Sequence, residues 1–218
     1  MKACVFDLDG TLTNTLNAIA HFGNIALEEF GFEPIEVNDY KRHVGDGRTV
    51  LIHRMLKARN ADTEENFNNV CRVYDEGYEA DPLYDTDAYE GIRELLKALR
   101  ERGIKTAVCT NKPDNVAQDV IIKIFGKGVF DAVCGVVEGF PTKPEPYTAL
   151  KITEKLGVLP SECIFIGDTN VDMMTAKNAG MTPVGVLWGF RERDELEEAG
   201  ARYIVEHPSE ILEMVEKI

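Results

Sequence analysis

The sequence predicts an α/β protein: a parallel β-sheet with helices on both faces and a helical domain inserted after the first strand. Three observations lead to this prediction. From residue 83 onward, short apolar runs alternate with segments of helical periodicity, and this alternation is typical of a parallel sheet covered on both faces. The chain opens on a strand of the fully buried type. The residues between 13 and 82 carry helical patterns and contain no plausible strand.

The first strand is predicted at Ala3–Phe6, where four apolar residues stand in a row. The run is too short for a globular helix, and its length suits a strand that is buried on both faces. Because acidic residues follow it directly, we expect this strand to lie at the centre of the functional site.

The inserted domain is predicted to be helical throughout. Its three helices are expected at residues 15–30, 44–59 and 62–80. Asp62 is a suitable N-cap for the third helix. We therefore expect a helical cap domain at residues 13–82 and an α/β core at residues 1–12 and 83–218.

In the core, the same patterns predict five further strands and six helices. The strands are expected at Ile104–Thr110, Phe130–Val137, Glu162–Gly167, Thr182–Leu187 and Tyr203–Val205. The helices are expected at residues 89–102, 113–125, 145–156, 170–179, 192–199 and 208–218. Glycines at 103, 157 and 180 mark helix ends, where a left-handed residue is common.

Two carboxylates follow the first strand at once. Side chains alternate in direction along a strand, so Asp7 and Asp9 are expected to project to the same side, and Gly10 lets the chain turn. Carboxylates held close together repel each other unless a cation lies between them. Because only oxygen ligands are present and no His or Cys stands beside them, Mg²⁺ is favoured over zinc.

Other polar side chains are expected at the same edge of the sheet, because ligands of open α/β sheets bind at the carboxyl ends of the strands. The side chains at or just beyond those ends are Thr110, Asn111, Lys112, Asp168 and Asp172. Between them, a proline-rich loop places Lys143 just before a helix. The sequence thus predicts that residues far apart along the chain meet around Asp7.

The stretch Asp7–Leu12 reads D-L-D-G-T-L and resembles the first motif of the haloacid dehalogenase-like superfamily, which is D-x-D-G-T-L in its phosphatases. Thr110, Lys143 and Asp168 resemble the remaining motifs, in the family's order. The resemblance implies a Rossmann-like parallel sheet with an inserted α-helical cap, a Mg²⁺ cofactor, and hydrolysis of a phosphate ester through an aspartyl-phosphate.

The resemblance also implies roles for individual residues. Asp7 would be the nucleophile and Asp9 the general acid and base. Thr110, with the backbone N–H that follows it, would bind the phosphoryl oxygens, and Lys143 would neutralise their charge. Asp172 would lie behind the metal site or orient Lys143. The expected metal ligands are Asp7, Asp9, Asp168 and Asp172, and the expected substrate-binding residues of the core are Thr110, Asn111 and Lys143.

A further cation stands in the predicted cap. Arg48 begins a helix after the run V-G-D-G and can hold a second anionic group of the substrate bidentately; a solvated helix start is the equal alternative. The whole chain resembles the phosphoglycolate phosphatases most, through V-G-x-G in the cap and the turn L-W-G-F at residues 187–190. A small phosphorylated acid is therefore the expected substrate.

Composition limits the partners and the compartment. The 218 residues carry a formal net charge of −14, which disfavours nucleic acid and anionic membranes. The five cysteines are odd in number, and four of them lie in apolar, strand-like runs, as expected for reduced, buried residues. No apolar stretch is as long as a membrane span, and the first strand leaves no room for a signal peptide. We expect a cytoplasmic protein, either a monomer or a homodimer.

A calcium loop does not explain these acids, because Gly10 stands fourth from Asp7 and follows a strand, whereas an EF-hand needs glycine at the sixth position.

Several other functions remain open. Within the enzyme class, the alternatives are a pyrophosphatase, another sugar-phosphate phosphatase and a phosphoglucomutase-like enzyme. Outside it, the alternative is a non-catalytic metabolite-binding module, which is expected to have lost one of the acids.

Overall fold

The computed structural model describes residues 1–217 and divides into two compact units. The first unit consists of Met1–Asn14 and the chain from Ala88 onward, and the second is Thr15–Asp87. The borders predicted at 12/13 and 82/83 therefore lie at 14/15 and 87/88. Thr13 belongs to the first unit because its amide and hydroxyl both donate to the carbonyl of Leu8.

The structure contains the following elements, numbered along the chain. The strands are β1 (Ala3–Phe6), β2 (Thr13–Asn14), β3 (Asp87–Ala88), β4 (Lys105–Pro113), β5 (Ala132–Val136), β6 (Cys163–Gly167), β7 (Thr182–Val186) and β8 (Tyr203–Val205). The α-helices are α1 (Leu16–Glu29), α2 (Arg48–Lys57), α3 (Glu64–Ala80), α4 (Ile92–Glu101), α5 (Asp114–Phe125), α6 (Tyr147–Leu156), α7 (Asn170–Ala179), α8 (Arg193–Glu198) and α9 (Pro208–Lys217). Short 3₁₀ helices lie at Val37–Arg42 and Pro160–Glu162. The last residue of the predicted C-terminal helix, 218, lies outside the described residues.

The main sheet has six parallel strands in the order β5-β4-β1-β6-β7-β8. All four residues of β1 are buried. Since successive side chains of a strand point to opposite faces, this burial shows that both faces of the sheet are covered. The predicted fold class is confirmed.

The register of the central strands places their carboxyl ends side by side. Phe6 of β1 pairs with Val108 of β4 on one side and with Ile166 of β6 on the other. The residues that follow these positions therefore meet at one edge of the sheet. This edge holds Asp7 between the end of β4 and the end of β6.

Some predicted boundaries were wrong, for local reasons. The N-cap of α3 is Thr63, whose hydroxyl accepts a hydrogen bond from the Asn66 amide, whereas Asp62 pairs with His53 at 2.7 Å. Helix α4 begins only at Ile92, because Gly91 before it is left-handed, with φ +82°. Strand β4 continues to Pro113 instead of ending at Thr110.

The second unit is a helical domain formed by α1, α2, α3 and the 3₁₀ helix at Val37–Arg42. Tyr40 of this short helix is fully buried, and its hydroxyl donates to the side chain of Asn24 at 2.9 Å. Gly23 provides the space: a Cβ there would lie 2.4 Å from the Tyr40 hydroxyl oxygen. The packing of α1 against Tyr40 thus depends on a glycine inside the helix.

Two sequence expectations concern the whole chain. The five cysteines are all free and buried, as predicted. Among the described residues, no helix is both long enough and apolar enough to span a membrane.

Candidate active site

The turn after β1 places the first acid. The amide of Asp7 donates to the carbonyl of Ile166 at 2.9 Å, which continues the contact between β1 and β6 by one residue. The chain then turns at Gly10, with φ +82°, and the carbonyl of Leu8 accepts from the amides of the residues on the far side of the turn. Asp7 is thereby held, buried, at the end of the strand.

Three buried carboxylates meet at this edge. Asp7, Asp168 and Asp172 each offer an oxygen, and these oxygens lie within 4.8 Å of one another. The grouping follows from the parallel register, because Asp168 comes directly after β6 and Asp172 lies in the first turn of α7. Three of the four acids predicted as metal ligands are therefore brought together.

Asp168 is fixed by a turn distant in sequence. Its Oδ1 accepts from the Thr11 hydroxyl at 2.8 Å, and its Oδ2 accepts from the Phe190 amide at 2.9 Å. The indole of Trp188 donates to the Thr11 carbonyl at 2.9 Å. The run L-W-G-F after β7 thus supports the acid site, a role that the sequence analysis did not assign to it.

Asp172 links helix α7 to the buried lysine. Its Oδ1 accepts from Lys143 Nζ at 2.7 Å, and its Oδ2 accepts from the amide and the hydroxyl of Thr169 at 3.0 and 2.7 Å. Lys143 Nζ also lies 2.8 Å from Asp7 Oδ1. Of the two roles left open for Asp172, these contacts favour orienting Lys143.

The end of β4 supplies Thr110 and Asn111. Thr110 is buried, and its hydroxyl oxygen accepts from the Lys112 amide at 3.2 Å, so the hydroxyl proton remains able to donate to a ligand. The side-chain amide of Asn111 donates to the Lys143 carbonyl and accepts from the Lys143 amide, at 3.1 and 2.9 Å. Asn111 thus holds the backbone of the lysine loop; its predicted contact with substrate stays a prediction.

Asp9 acts on the pKa of Asp7 but is not one of the three carboxylates that meet closely. Among the described residues, the group of close carboxylates does not include it, and its Oδ2 accepts from Lys112 Nζ at 2.9 Å. Because β1 ends at Phe6, alternation along a strand does not extend to Asp7 and Asp9, and their projection to the same side stays a prediction. Lys112 was expected at this edge of the sheet but was given no role in the site; with β4 extended to Pro113, it stands two positions beyond Thr110 on the same strand.

Burial and like charge dominate the electrostatics. Desolvation raises the pKa of Asp7 to about 7, with further upward contributions from Asp172 and Asp9, against a lowering by the Lys143 ammonium. Desolvation and the neighbouring carboxylates also raise the pKa of Asp168. Burial disfavours the charged form of Lys143, but Asp172 and Asp7 outweigh it and raise its pKa. The lysine is therefore charged at neutral pH.

The donor set fits a hard divalent cation. The charged groups at this edge are Asp7, Asp9, Asp168, Asp172, Lys112 and Lys143, of which only the carboxylates can act as metal donors. Four carboxylates against two ammonium groups leave a formal charge of −2 at one edge of the sheet. Burial and the neighbouring carboxylates raise the pKa of Asp7 and Asp168, and a cation between such carboxylates would favour their ionised forms. Oxygen-only donors suit Mg²⁺ or a similar ion, with Asp7 and Asp168 as the natural ligands.

The raised pKa of Asp7 predicts how stability depends on pH. Its value is 3.8 in a model peptide and about 7 in the metal-free folded protein, so between these values the folded state binds more protons than the unfolded state. The free energy of unfolding therefore falls as pH rises through this window, by a contribution on the order of a few kcal/mol. Between pH 5 and 8, the free energy of unfolding measured with denaturant in EDTA should fall less for Asp7→Asn than for the unmodified chain. Equal falls in the two proteins would contradict the raised pKa of Asp7.

Gly189 offers a test of the support for Asp168. A Cβ at this position would lie 2.3 Å from the Asp168 Cβ and 2.4 Å from the Gly10 carbonyl oxygen. Gly189→Ala is therefore expected to displace Asp168 and weaken divalent-cation binding by tenfold or more, about the effect of losing an outer hydrogen-bond partner of a ligand. Calorimetric titration with MgCl₂ measures it, and thermal unfolding in EDTA checks that the variant folds. An unchanged affinity in the folded variant would contradict the prediction.

Arg48 lies in the helical unit as the first residue of α2. Its guanidinium forms an ion pair with Asp75 of α3 and is about half exposed. The helix start is exposed and carries this ion pair, so both interpretations of Arg48 stay open. Whether Arg48 also contacts a substrate stays a prediction.

The fold is that of an α/β protein, and its candidate active site is a cluster of buried acids and lysines at the carboxyl ends of parallel strands. The chain belongs to the haloacid dehalogenase-like hydrolases, because the sequence model of that family matches residues 1–180. The resemblance given by the D-L-D-G-T-L motif is thereby confirmed.

Individual relatives cover nearly the whole chain. It is 34% identical to the phosphoglycolate phosphatase of Rhodospirillum rubrum over 92% of this chain and 85% of that protein. It is 31% identical to the phosphoglycolate phosphatase of Aquifex aeolicus over 87% and 86% of the two chains. Among solved structures, a candidate phosphoglycolate phosphatase from Lactobacillus delbrueckii subsp. bulgaricus is similar, with a TM-score of 0.94, 31% identity and 98% of both chains covered.

Proposed function

We propose that the protein is a Mg²⁺-dependent phosphatase of small phosphorylated metabolites and that phosphoglycolate is its principal substrate. The observation that carries the proposal is the buried Asp7 carboxylate, 2.8 Å from Lys143 Nζ and within the group of acids that fits a divalent cation. The family and the phosphoglycolate phosphatases among its relatives support the same activity.

In the proposed reaction, an Asp7 oxygen attacks the phosphorus atom in line with the ester bond. The new bond joins phosphorus to Asp7, and the bond to the leaving oxygen breaks. Asp9 donates a proton to that oxygen. Asp9, now ionised, takes a proton from the water that attacks the aspartyl-phosphate; the bond between phosphorus and Asp7 breaks, phosphate leaves, Asp7 is again a carboxylate and Asp9 is again protonated.

The remaining residues provide binding and charge stabilisation. Lys143, held by Asp172, lies beside the attacking carboxylate, and the Thr110 hydroxyl can donate to a phosphoryl oxygen. A Mg²⁺ ion held by Asp7 and Asp168 would neutralise charge on the phosphoryl oxygens. General acid and base catalysis contributes only about 10² to 10⁴ in rate, so most of the acceleration must come from positioning and from these charges.

Metal dependence and substrate choice test the proposal together. Protein treated with EDTA is assayed for phosphate release from phosphoglycolate, a hexose phosphate, pyrophosphate and p-nitrophenyl phosphate, with and without MgCl₂. We expect release only with Mg²⁺ and the highest kcat/KM for phosphoglycolate. No release from any compound would favour the non-catalytic module, and a preference for pyrophosphate or a sugar phosphate would replace the proposed substrate.

We also propose that the protein acts in the cytoplasm and without nucleic acid or membrane partners. The charge of −14 supports this, because it disfavours association with other polyanions. Because the whole chain is negatively charged, the site itself must attract a small anionic substrate, through the buried lysines and the bound cation.

Arg48 is retained as a proposed contact for the second anionic group of the substrate. Arg48→Ala is expected to raise KM for phosphoglycolate about tenfold, the effect of losing one charged hydrogen bond, and to change KM for p-nitrophenyl phosphate much less. Steady-state kinetics on both compounds measures this. Asp75→Asn is the matched control, since it removes the partner and keeps the arginine; equal effects of Arg48→Ala on both substrates would remove Arg48 from substrate recognition.

A further inference from the structure

The helical unit carries a cavity that the proposed reaction does not use. The cavity has a volume of about 480 Å³ and is lined by residues of helix α1, by Val37 and by the segment Tyr84–Asp85. All the residues that line it belong to Thr15–Asp87, the second compact unit. Ligand sites in proteins are concave and have volumes of about 300 to 1,000 Å³. This cavity is therefore large enough to hold a small molecule.

Apolar side chains form much of the cavity wall. Ile25 and Val37 are each 41% exposed, and Tyr84 is 39% exposed. The ring of His21 stacks on the ring of Tyr84, with centroids 3.9 Å apart and planes 7° from parallel. This stacking holds the tyrosine ring in place, so the apolar surface is present before any ligand binds. Covering such a surface with the apolar part of a ligand is favourable.

Two carboxylates lie at opposite ends of the cavity. Asp85 Oδ2 accepts a hydrogen bond at 2.6 Å from the side-chain amide of Asn17, at the start of α1. Glu28 lies eleven residues further along the same helix, and it shares a face with Asn17 and His21, at spacings of seven and four residues. At 1.5 Å per residue, Asn17 and Glu28 are about 16 Å apart along the helix axis. The cavity thus carries negative charge at both ends.

Both carboxylates have oxygens that can accept from a ligand. Within residues 1–217, the Glu28 carboxylate takes part in no hydrogen bond or ion pair, and Asp85 uses Oδ2 for Asn17. The backbone of Asp85 has a φ of +40°, which is uncommon for residues other than glycine. This conformation and the bond from Asn17 fix the direction of the carboxylate. Of the described residues that line the cavity, none is a lysine or an arginine.

We propose that this cavity binds a linear aliphatic polyamine, with one ammonium group at each carboxylate and the methylene chain on the apolar wall. Ammonium groups form strong, charge-assisted hydrogen bonds with carboxylates. A ligand with a single cation would leave one carboxylate without a partner. The net charge of −14 also favours a cationic ligand over an anionic one. The inference does not depend on the proposed phosphatase function, because no residue assigned to the reaction lines the cavity.

Diamines of equal charge and different length test the proposal. Calorimetric titration of 1,10-diaminodecane, 1,4-diaminobutane and spermine into the full chain is performed with saturating MgCl₂, so that the acids around Asp7 do not compete. We expect one site per chain and a Kd at least tenfold lower for 1,10-diaminodecane than for 1,4-diaminobutane. Only the longer diamine reaches both carboxylates. Spermine, which is of similar length and carries more charge, should bind at least as tightly.

Glu28→Gln removes one of the two charges and keeps the shape of the side chain. It is expected to weaken binding of 1,10-diaminodecane at least tenfold, the effect of losing one charged hydrogen bond, and to weaken binding of 1,4-diaminobutane much less. Glu29→Gln is the matched control, because Glu29 is exposed, adjacent in sequence and not part of the cavity wall. Its Kd values should be unchanged. Thermal unfolding confirms that each variant is folded.

Three outcomes would overturn the inference. Equal weakening by Glu28→Gln and Glu29→Gln would mean that the amines associate with the negative surface as a whole. Equal Kd values for the two diamines would mean that the carboxylates do not act as a pair. Absence of binding by all three amines would remove the site. A failure of the protein to release phosphate from phosphoglycolate would contradict the proposed function and leave these titrations unaffected.

Discussion

Asp7→Asn is expected to lower kcat by about 10⁴-fold or more, the scale on which enzymes lose activity without their nucleophile. The amide has nearly the same shape as the carboxylate, but it cannot accept a phosphoryl group, and it gives Lys143 no opposite charge. Phosphate release from p-nitrophenyl phosphate with saturating Mg²⁺ measures the loss. Acid quenching followed by mass spectrometry should show a phosphorylated fraction in the unmodified enzyme and none in the variant.

Asp9→Asn is the matched control for this result. Since p-nitrophenolate leaves without a proton, the variant should still form the phosphorylated enzyme and lose mainly the second step, at a cost of about 10² to 10⁴ in rate. Asp7→Asn should also be at least as stable as the unmodified chain in EDTA at pH 8, because it removes repulsion with Asp172 and Asp9. Near wild-type turnover by Asp7→Asn would end the proposed mechanism.

Asp172→Ala is expected to lower the free energy of unfolding by about 3 to 5 kcal/mol, the range for removing one partner of a buried ion pair. The substitution leaves Lys143 buried with Asp7 as its remaining carboxylate partner in the described contacts. It also removes the acceptor of the Thr169 amide and hydroxyl at the start of α7. Urea unfolding in EDTA measures the loss.

A double variant identifies the cause of that loss. Asp172→Leu combined with Lys143→Met replaces the pair by apolar side chains and should recover part of the stability, although the enzyme remains inactive. The recovery would show that this part of the cost comes from the buried ammonium that has lost one of its two carboxylate partners. A loss of less than about 1 kcal/mol in Asp172→Ala would mean that helix capping alone is affected.

The sequence predicted the site best where the sheet itself determines the positions. Asp7, Thr110 and Asp168 follow the ends of neighbouring parallel strands, so the strand pattern was enough to expect them at one edge. The paired direction of Asp7 and Asp9 was not predictable in this way. It assumed that the strand continued past Phe6, whereas β1 ends there and the chain turns around Leu8.

Hydrophobic periodicity does not predict contacts between segments that are far apart in the sequence. Nothing in the pattern of the chain indicates that Thr11 and the Phe190 amide meet on Asp168, since they approach it from separate turns. The pairing of Lys112 with Asp9 likewise depends on the true end of β4. Spacing located the acids and Lys143, whereas the groups that hold them required the folded structure.

The contacts of Asp172 have a consequence for partly unfolded molecules. A single carboxylate closes the first turn of α7 and keeps the ammonium of Lys143 beside Asp7. Fraying of that turn therefore also removes one of the two carboxylate partners of the lysine. We expect local order at the start of this helix and catalytic competence to be lost together.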